Sequence, residues 1–65
     1  MHLLVNGEPY EAQATTVAEL LKELKLKEAR VVVEKNGAII KRPDLATTQL
    51  SAEDRLEIVQ FVGGG

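Results

Sequence analysis

The sequence predicts an α+β fold in which a small sheet packs on one main helix. Three observations carry that expectation. Two Asn-Gly dipeptides, Asn6-Gly7 and Asn36-Gly37, lie between β-compatible residues, and this dipeptide accepts positive φ at both central positions of a tight hairpin. Between them, "TTVAELLKELKL" places apolar residues at helical spacing. Near the end, "DRLEIVQFV" alternates as a strand does.

Taken in order, "HLLVNGEPYEAQ" reads as a first hairpin, with Pro9 suited to an edge or turn because it has no N–H to give to a ladder. Thr16 is the candidate helix cap, and Glu19, three residues on, is placed to reach back and complete a capping box. Val17, Leu20, Leu21 and Leu24 then form one apolar stripe, leaving Lys22, Glu23 and Lys25 to face water. Such a helix needs a surface to cover, and a sheet face supplies it. "ARVVVEKNG" gives a β-branched strand running into the second turn, and Ala38–Ile40 a short return strand. "KRPDLATTQL" reads as irregular, since Pro43 disfavours helix at Arg42, with Leu45 and Leu50 as its anchors to the core. After a polar turn at Ser51–Asp54, Leu56 and Ile58 share the inward parity of the last strand.

Sixty-five residues make one small domain, and a chain of this size buries only about 60% of its unfolded surface. Little material is left to enclose an active site. The net charge is −2 and the basic residues are scattered along the chain, so neither a nucleic acid nor a membrane is an expected partner. The absence of cysteine excludes disulfides, Cys-ligated metal and a Cys nucleophile. Only three strongly apolar residues precede Asn6, too few for a signal-peptide core, and no apolar run approaches the roughly 20 residues of a membrane span. The expected location is cytoplasmic.

Enzyme constellations are missing. His2 is the single histidine, so no Ser–His–Asp arrangement or His-rich metal site can be built. The carboxylates Glu19, Glu23, Glu28, Glu53, Asp54 and Glu57 fit a cap, a solvent face and a turn. Gly7 and Gly37 are single turn glycines rather than a phosphate-cradling loop. No catalytic residue and no metal ligand is therefore assigned. The last strand is more informative. On its outward parity Arg55 and Glu57 give way to Val59 and Phe61, and an outward face that turns apolar at a strand end marks a docking patch, or a bulge that flips the register. Beyond it stand Gly63, Gly64 and Gly65. An extended glycine segment has no Cβ atoms and is the thinnest peptide available, able to carry a carboxylate into another protein's active site. An ionised carboxylate is a poor electrophile, so reaction there requires activation, most simply as a mixed anhydride with AMP.

These features resemble the ubiquitin-like β-grasp sulfur carriers, and among them the ThiS family of thiamine biosynthesis. The matching pieces are "VNGEP", "TTVAELLKEL", "EKNGAIIKR" and "DRLEIVQFVGGG", the last being the most specific. The resemblance implies a mixed four- to five-stranded sheet packed on one main helix. Its first and last strands lie parallel and adjacent at the centre, in a single domain of residues 1–65 with 63–65 an extended, flexible tail. It implies that Gly65 is the adenylation and thiocarboxylate site, Gly63 and Gly64 the thin reach, and Val59 and Phe61 the partner-docking residues. It also implies three partners for a chain that is a monomer when free. These are a ubiquitin-activating-like adenylating enzyme that uses Mg-ATP, a cysteine desulfurase or related sulfur donor, and thiazole synthase as acceptor. The chain itself would be a co-substrate with no bound cofactor. Two segments depart from the family pattern: Ala52-Glu53-Asp54 stands where relatives often carry Asp-Gly-Asp, and "KRPDL" lacks the usual aromatic. Alternatives consistent with the same residues are a sister carrier (the small subunit of molybdopterin synthase or a tRNA-thiolation carrier), a ubiquitin-like protein modifier, and a plain interaction domain whose glycines are a cloning scar.

Overall fold

In the computed structural model, which describes residues 1–61, both Asn-Gly dipeptides form two-residue turns with positive φ at each position: Asn6 50°, Gly7 82°, Asn36 52° and Gly37 90°. The first turn joins β1 (His2–Val5) to β2 (Glu8–Glu11) with Val5 opposite Glu8. The second joins β3 (Val31–Lys35) to β4 (Ala38–Ile40) with Lys35 opposite Ala38. The last strand, β5 (Arg55–Gln60), lies between the two hairpins, parallel to β1 and antiparallel to β3. The strand order is β2-β1-β5-β3-β4, the mixed five-stranded β-grasp sheet with first and last strands paired at its centre. Pro9 sits in the edge strand β2, where its missing N–H leaves no rung unmade.

One face of the sheet is covered by α1 (Val17–Glu23). Val17, Ala18, Leu20 and Leu21 of the helix are buried with Leu3, Val31, Val33, Leu56 and Ile58 of the strands, and Leu45 and Leu50 close the core from the irregular segment. Thr16 caps the helix, its hydroxyl accepting from Glu19 N at 3.2 Å. The reach-back of Glu19 lands one residue earlier than expected, on Thr15, which offers it both an N–H and a hydroxyl at 2.9 and 3.0 Å. The helix ends in a Schellman motif: Leu26 N donates to Leu21 O at 2.8 Å and Lys25 N to Lys22 O at 3.0 Å. Lys25 occupies the left-handed position of that motif with φ 62°.

Two expectations need refinement. Glu23 is half-exposed, and it is tied to the chain as well as facing water. Its carboxylate accepts from Tyr10 Oη at 2.5 Å, Gln13 N at 3.1 Å and Ala14 N at 2.9 Å. The chain leaves the sheet at Ala12–Ala14, where backbone N–H groups have lost their ladder, and the carboxylate satisfies two of them. The segment after β4 is also less irregular than Pro43 suggested, because Arg42–Asp44 forms one 3₁₀ turn. Proline is tolerated there, since a first helical turn asks for no N–H.

Candidate functional site

The site is built on β5, the strand that precedes Phe61, Val62 and the three glycines in the sequence. Its inward residues Leu56 and Ile58 are buried, and Glu57 and Val59 alternate outward. β3 follows it as far as Phe61, whose N–H donates to Arg30 O at 2.7 Å. Arg30 closes a 3₁₀ turn, Glu28–Arg30, that leads into β3. On the other side β1 ends at Val5, but the Asn6 side chain adds a further rung: Ile58 N donates to its Oδ1 at 2.7 Å and its Nδ2 donates to Ile58 O at 3.2 Å.

The start of β5 is fixed by Asp54. Its Oδ1 accepts from Asn36 Nδ2 at 3.0 Å, and its Oδ2 from Ser51 N at 2.8 Å, with Lys35 Nζ at 3.5 Å. Burial alone would raise the pKa of this carboxyl. The Asn36 amide, the Ser51 N–H and the Lys35 ammonium outweigh that and hold it below the ordinary aspartate value. Glu23 is likewise lowered, first by the Tyr10 hydroxyl and then by the Ala14 and Gln13 N–H groups. Both are firmly ionised structural anchors, unsuited to general acid work at neutral pH.

The outward apolar residues stand where the strand parity put them. Val59 is 60% and Phe61 53% exposed, and no bulge flips the register, since Val31 through Lys35 pair in unbroken order with Gln60 back to Leu56. Val32 lies directly across from Val59 on the same outer face, and Ile39, 66% exposed, lies across from Glu34 on that face. The patch therefore comprises Val32, Ile39, Val59 and Phe61, twice the residues that sequence reasoning named. Ile39 was findable: a two-residue turn at Asn36-Gly37 with Val33 pointing inward forces Ile40 inward and Ile39 out. Val32 hides in a run of three valines that shows no alternation.

Gly63, Gly64 and Gly65 lie outside the described residues. Among the described residues no group of three His, Cys, Asp or Glu side chains could hold a metal ion, and no helix is long and apolar enough to cross a membrane. His2 Nδ1 lies 3.5 Å from Glu11 Oε1 of the edge strand β2. What the arrangement offers is an exposed apolar surface on a strand held from both sides, directly before "VGGG".

Comparison with known proteins agrees with this geometry. The ThiS family model matches residues 3–65. The sulfur carrier protein ThiS of Bacillus subtilis is 35% identical over 65 residues, covering 97% of this chain and 98% of that protein. A thiazole synthase of Magnetococcus marinus is 39% identical over 66 residues; these cover 100% of this chain, which thus spans only 20% of that protein's length. The crystal structure of the thiamine biosynthesis protein ThiS from Geobacter metallireducens superposes with a TM-score of 0.82 at 38% identity, each chain covered in full. The chain belongs to the ThiS family.

Proposed function

We propose that this chain carries sulfur for thiamine biosynthesis as a thiocarboxylate on Gly65, and that it is a protein co-substrate rather than a catalyst. The observation that supports this most directly is the placement of Val59 and Phe61: an exposed apolar pair at the end of a strand held from both sides, with only Val62 between it and the glycines in the sequence. The body docks by that patch, and a three-residue glycine segment, when fully extended, spans about 10 Å. In the partner's site the Gly65 carboxylate attacks the α-phosphorus of Mg-ATP, forming an acyl-adenylate and releasing pyrophosphate. Hydrosulfide, released by a thiol reductant from the persulfide that a desulfurase or related donor forms with cysteine sulfur, then adds to the carbonyl and AMP leaves, giving the thiocarboxylate. The adenylating enzyme is of the ubiquitin-activating kind, and the nucleotide and its metal belong to it. The thiocarboxylate gives its sulfur to thiazole synthase, a partnership supported by the occurrence of a segment like this chain within the longer Magnetococcus thiazole synthase.

Intact-mass measurement tests the reading. The chain is incubated with a candidate adenylating enzyme, Mg-ATP and a sulfur source, beside Gly64→Val and a version lacking Gly65. A mass gain matching one oxygen replaced by sulfur, in the wild type alone, is the expected result. An unchanged mass, or amide-linked ladders on denaturing gels in place of the thiocarboxylate, would overturn it.

A further inference from the structure

Basic residues that are scattered in the sequence are gathered by the fold. Lys25, Lys27 and Arg30 line one hollow with Gln60, on one side of the end of β5. Lys41 and Arg42 line another, of about 240 Å³, with Glu28, Val32, Ile39 and Phe61. Five of the chain's eight lysines and arginines thus flank the last described residues of β5 from two sides, in a protein whose net charge is −2. All five are exposed. None is in an ion pair among the described residues, where the pairs are Met1 and His2 with Glu11, and Lys35 with Asp54. At the opposite end of β5 the outer face carries Glu34 and Glu57 beside Arg55. Charge is therefore unevenly placed along β5: the five basic residues, with Glu28 as the one acidic neighbour lining either hollow, stand around the end that precedes the glycines, and Glu34 and Glu57 with Arg55 stand at the other.

We propose that Lys25, Lys27, Arg30, Lys41 and Arg42 form a basic rim around the apolar patch, and that this rim receives an acidic protein surface bordering the channel into which the adenylating partner draws the glycines. The inference rests on the sulfur-carrier reading for the identity of that partner. An apolar centre with a charged, solvated rim is the anatomy of a protein–protein interface. Rim charge of one sign acts by steering encounter and rejecting wrong partners more than by adding affinity. A single-stranded nucleic acid is the other polyanion to consider, but it is gripped by several stacking aromatics along a basic groove. Here Phe61 stands alone, because the chain's other aromatic, Tyr10, is tied to Glu23 on the far hairpin.

Three single charge reversals make the test: Lys27→Glu and Lys41→Glu, one from each side of the rim, and Arg55→Glu at the opposite end of the same strand. Thermal melts first select the variants that fold, and Lys27→Gln and Lys41→Gln replace any that do not. Association with the adenylating enzyme is followed by stopped flow from low to high salt. At low salt Lys27→Glu and Lys41→Glu are each expected to slow association about tenfold and to flatten its salt dependence, while Arg55→Glu stays near wild type. Rates that are equal across the three variants, insensitive to salt, or absent for the wild type overturn the rim. Tighter binding of a 20-nucleotide single-stranded RNA than of the enzyme, lost in the same two variants, overturns it in favour of nucleic acid. Sulfur gain at saturating enzyme reads the parent proposal separately. Normal sulfur gain with unaltered association removes only the rim, and slowed association with no sulfur gain removes only the sulfur-carrier reading.

Discussion

The side-chain amide of Asn6 binds both backbone groups of Ile58, 52 residues away, accepting from its N–H at 2.7 Å and donating to its carbonyl at 3.2 Å. Asn36 does the matching service from the other hairpin, accepting from Arg55 N at 2.9 Å while donating to Asp54. Each asparagine thus has two duties, the left-handed turn and a hold on the central strand. Asn6→Gly keeps the turn and loses only the hold, leaving the Ile58 N–H and carbonyl without partners. The expected cost is about 1–3 kcal/mol in urea denaturation. Asn6→Ala, which adds a strained φ, should cost more.

Glu23 ties the exit of the first hairpin to the helix end, and its pKa is lowered. A carboxylate depressed in the folded state gives stability that is present in full above its unfolded pKa and is lost as pH falls through the folded value. With an ordinary glutamate value of 4.5, the melting temperature should hold steady at neutral pH and fall progressively below about pH 4.5. Glu23→Gln should melt lower than wild type at pH 7, and the gap should close in acid as the wild-type side chain becomes protonated.

Lys25 and Glu53 adopt φ of 62° and 73°, in the left-handed region. A side chain there costs about 1–2 kcal/mol, and glycine's extra unfolded-state entropy returns about 0.5–1 kcal/mol of that. Lys25→Gly and Glu53→Gly should each stabilise the domain by about 0.5–1 kcal/mol, read as a higher denaturant midpoint at constant m. At Glu53, in the Ala52-Glu53-Asp54 turn, the chain holds a conformation that suits glycine.

Phe61→Asp and Ile39→Asp alter exposed side chains and should leave stability within about 0.5 kcal/mol. Titration against the adenylating enzyme should show at least about a tenfold loss of affinity for each, as for truncated anchors at an interface centre. An unchanged Kd for Ile39→Asp would confine the patch to β5.

Leu20 is fully buried beneath the sheet. Leu20→Ala should cost about 2–5 kcal/mol, and circular dichroism at 25 °C should then show a largely unfolded chain, since a domain this small has little stability to spare.

Much of the fold was legible because its signals are local. The Asn-Gly pairs marked two hairpins, Val17–Leu21 marked the buried helix face, and the parity of Leu56 and Ile58 pointed to Val59 and Phe61 as outward, while the registers and the absence of a bulge came from the structure. What escaped was contact at a distance. Glu23 reads as a solvated helix residue until the chain at Gln13 and Ala14 is seen to need acceptors, and those lie nine or ten residues away along the chain. The basic rim is likewise invisible, because strand pairing brings Lys41 and Arg42 to the end of a strand that sequence order places far from both.

The position of β5 has a mechanical consequence. The strand carries backbone rungs to β3 along its length and is held on its other side by β1 and the Asn6 amide. Traction applied at Phe61 along the strand therefore loads these bonds in shear, so they must fail together rather than peel one after another. A partner that pulls on the end of this chain draws on a handle fixed at the centre of the sheet, and the force reaches the body as a whole without unravelling it.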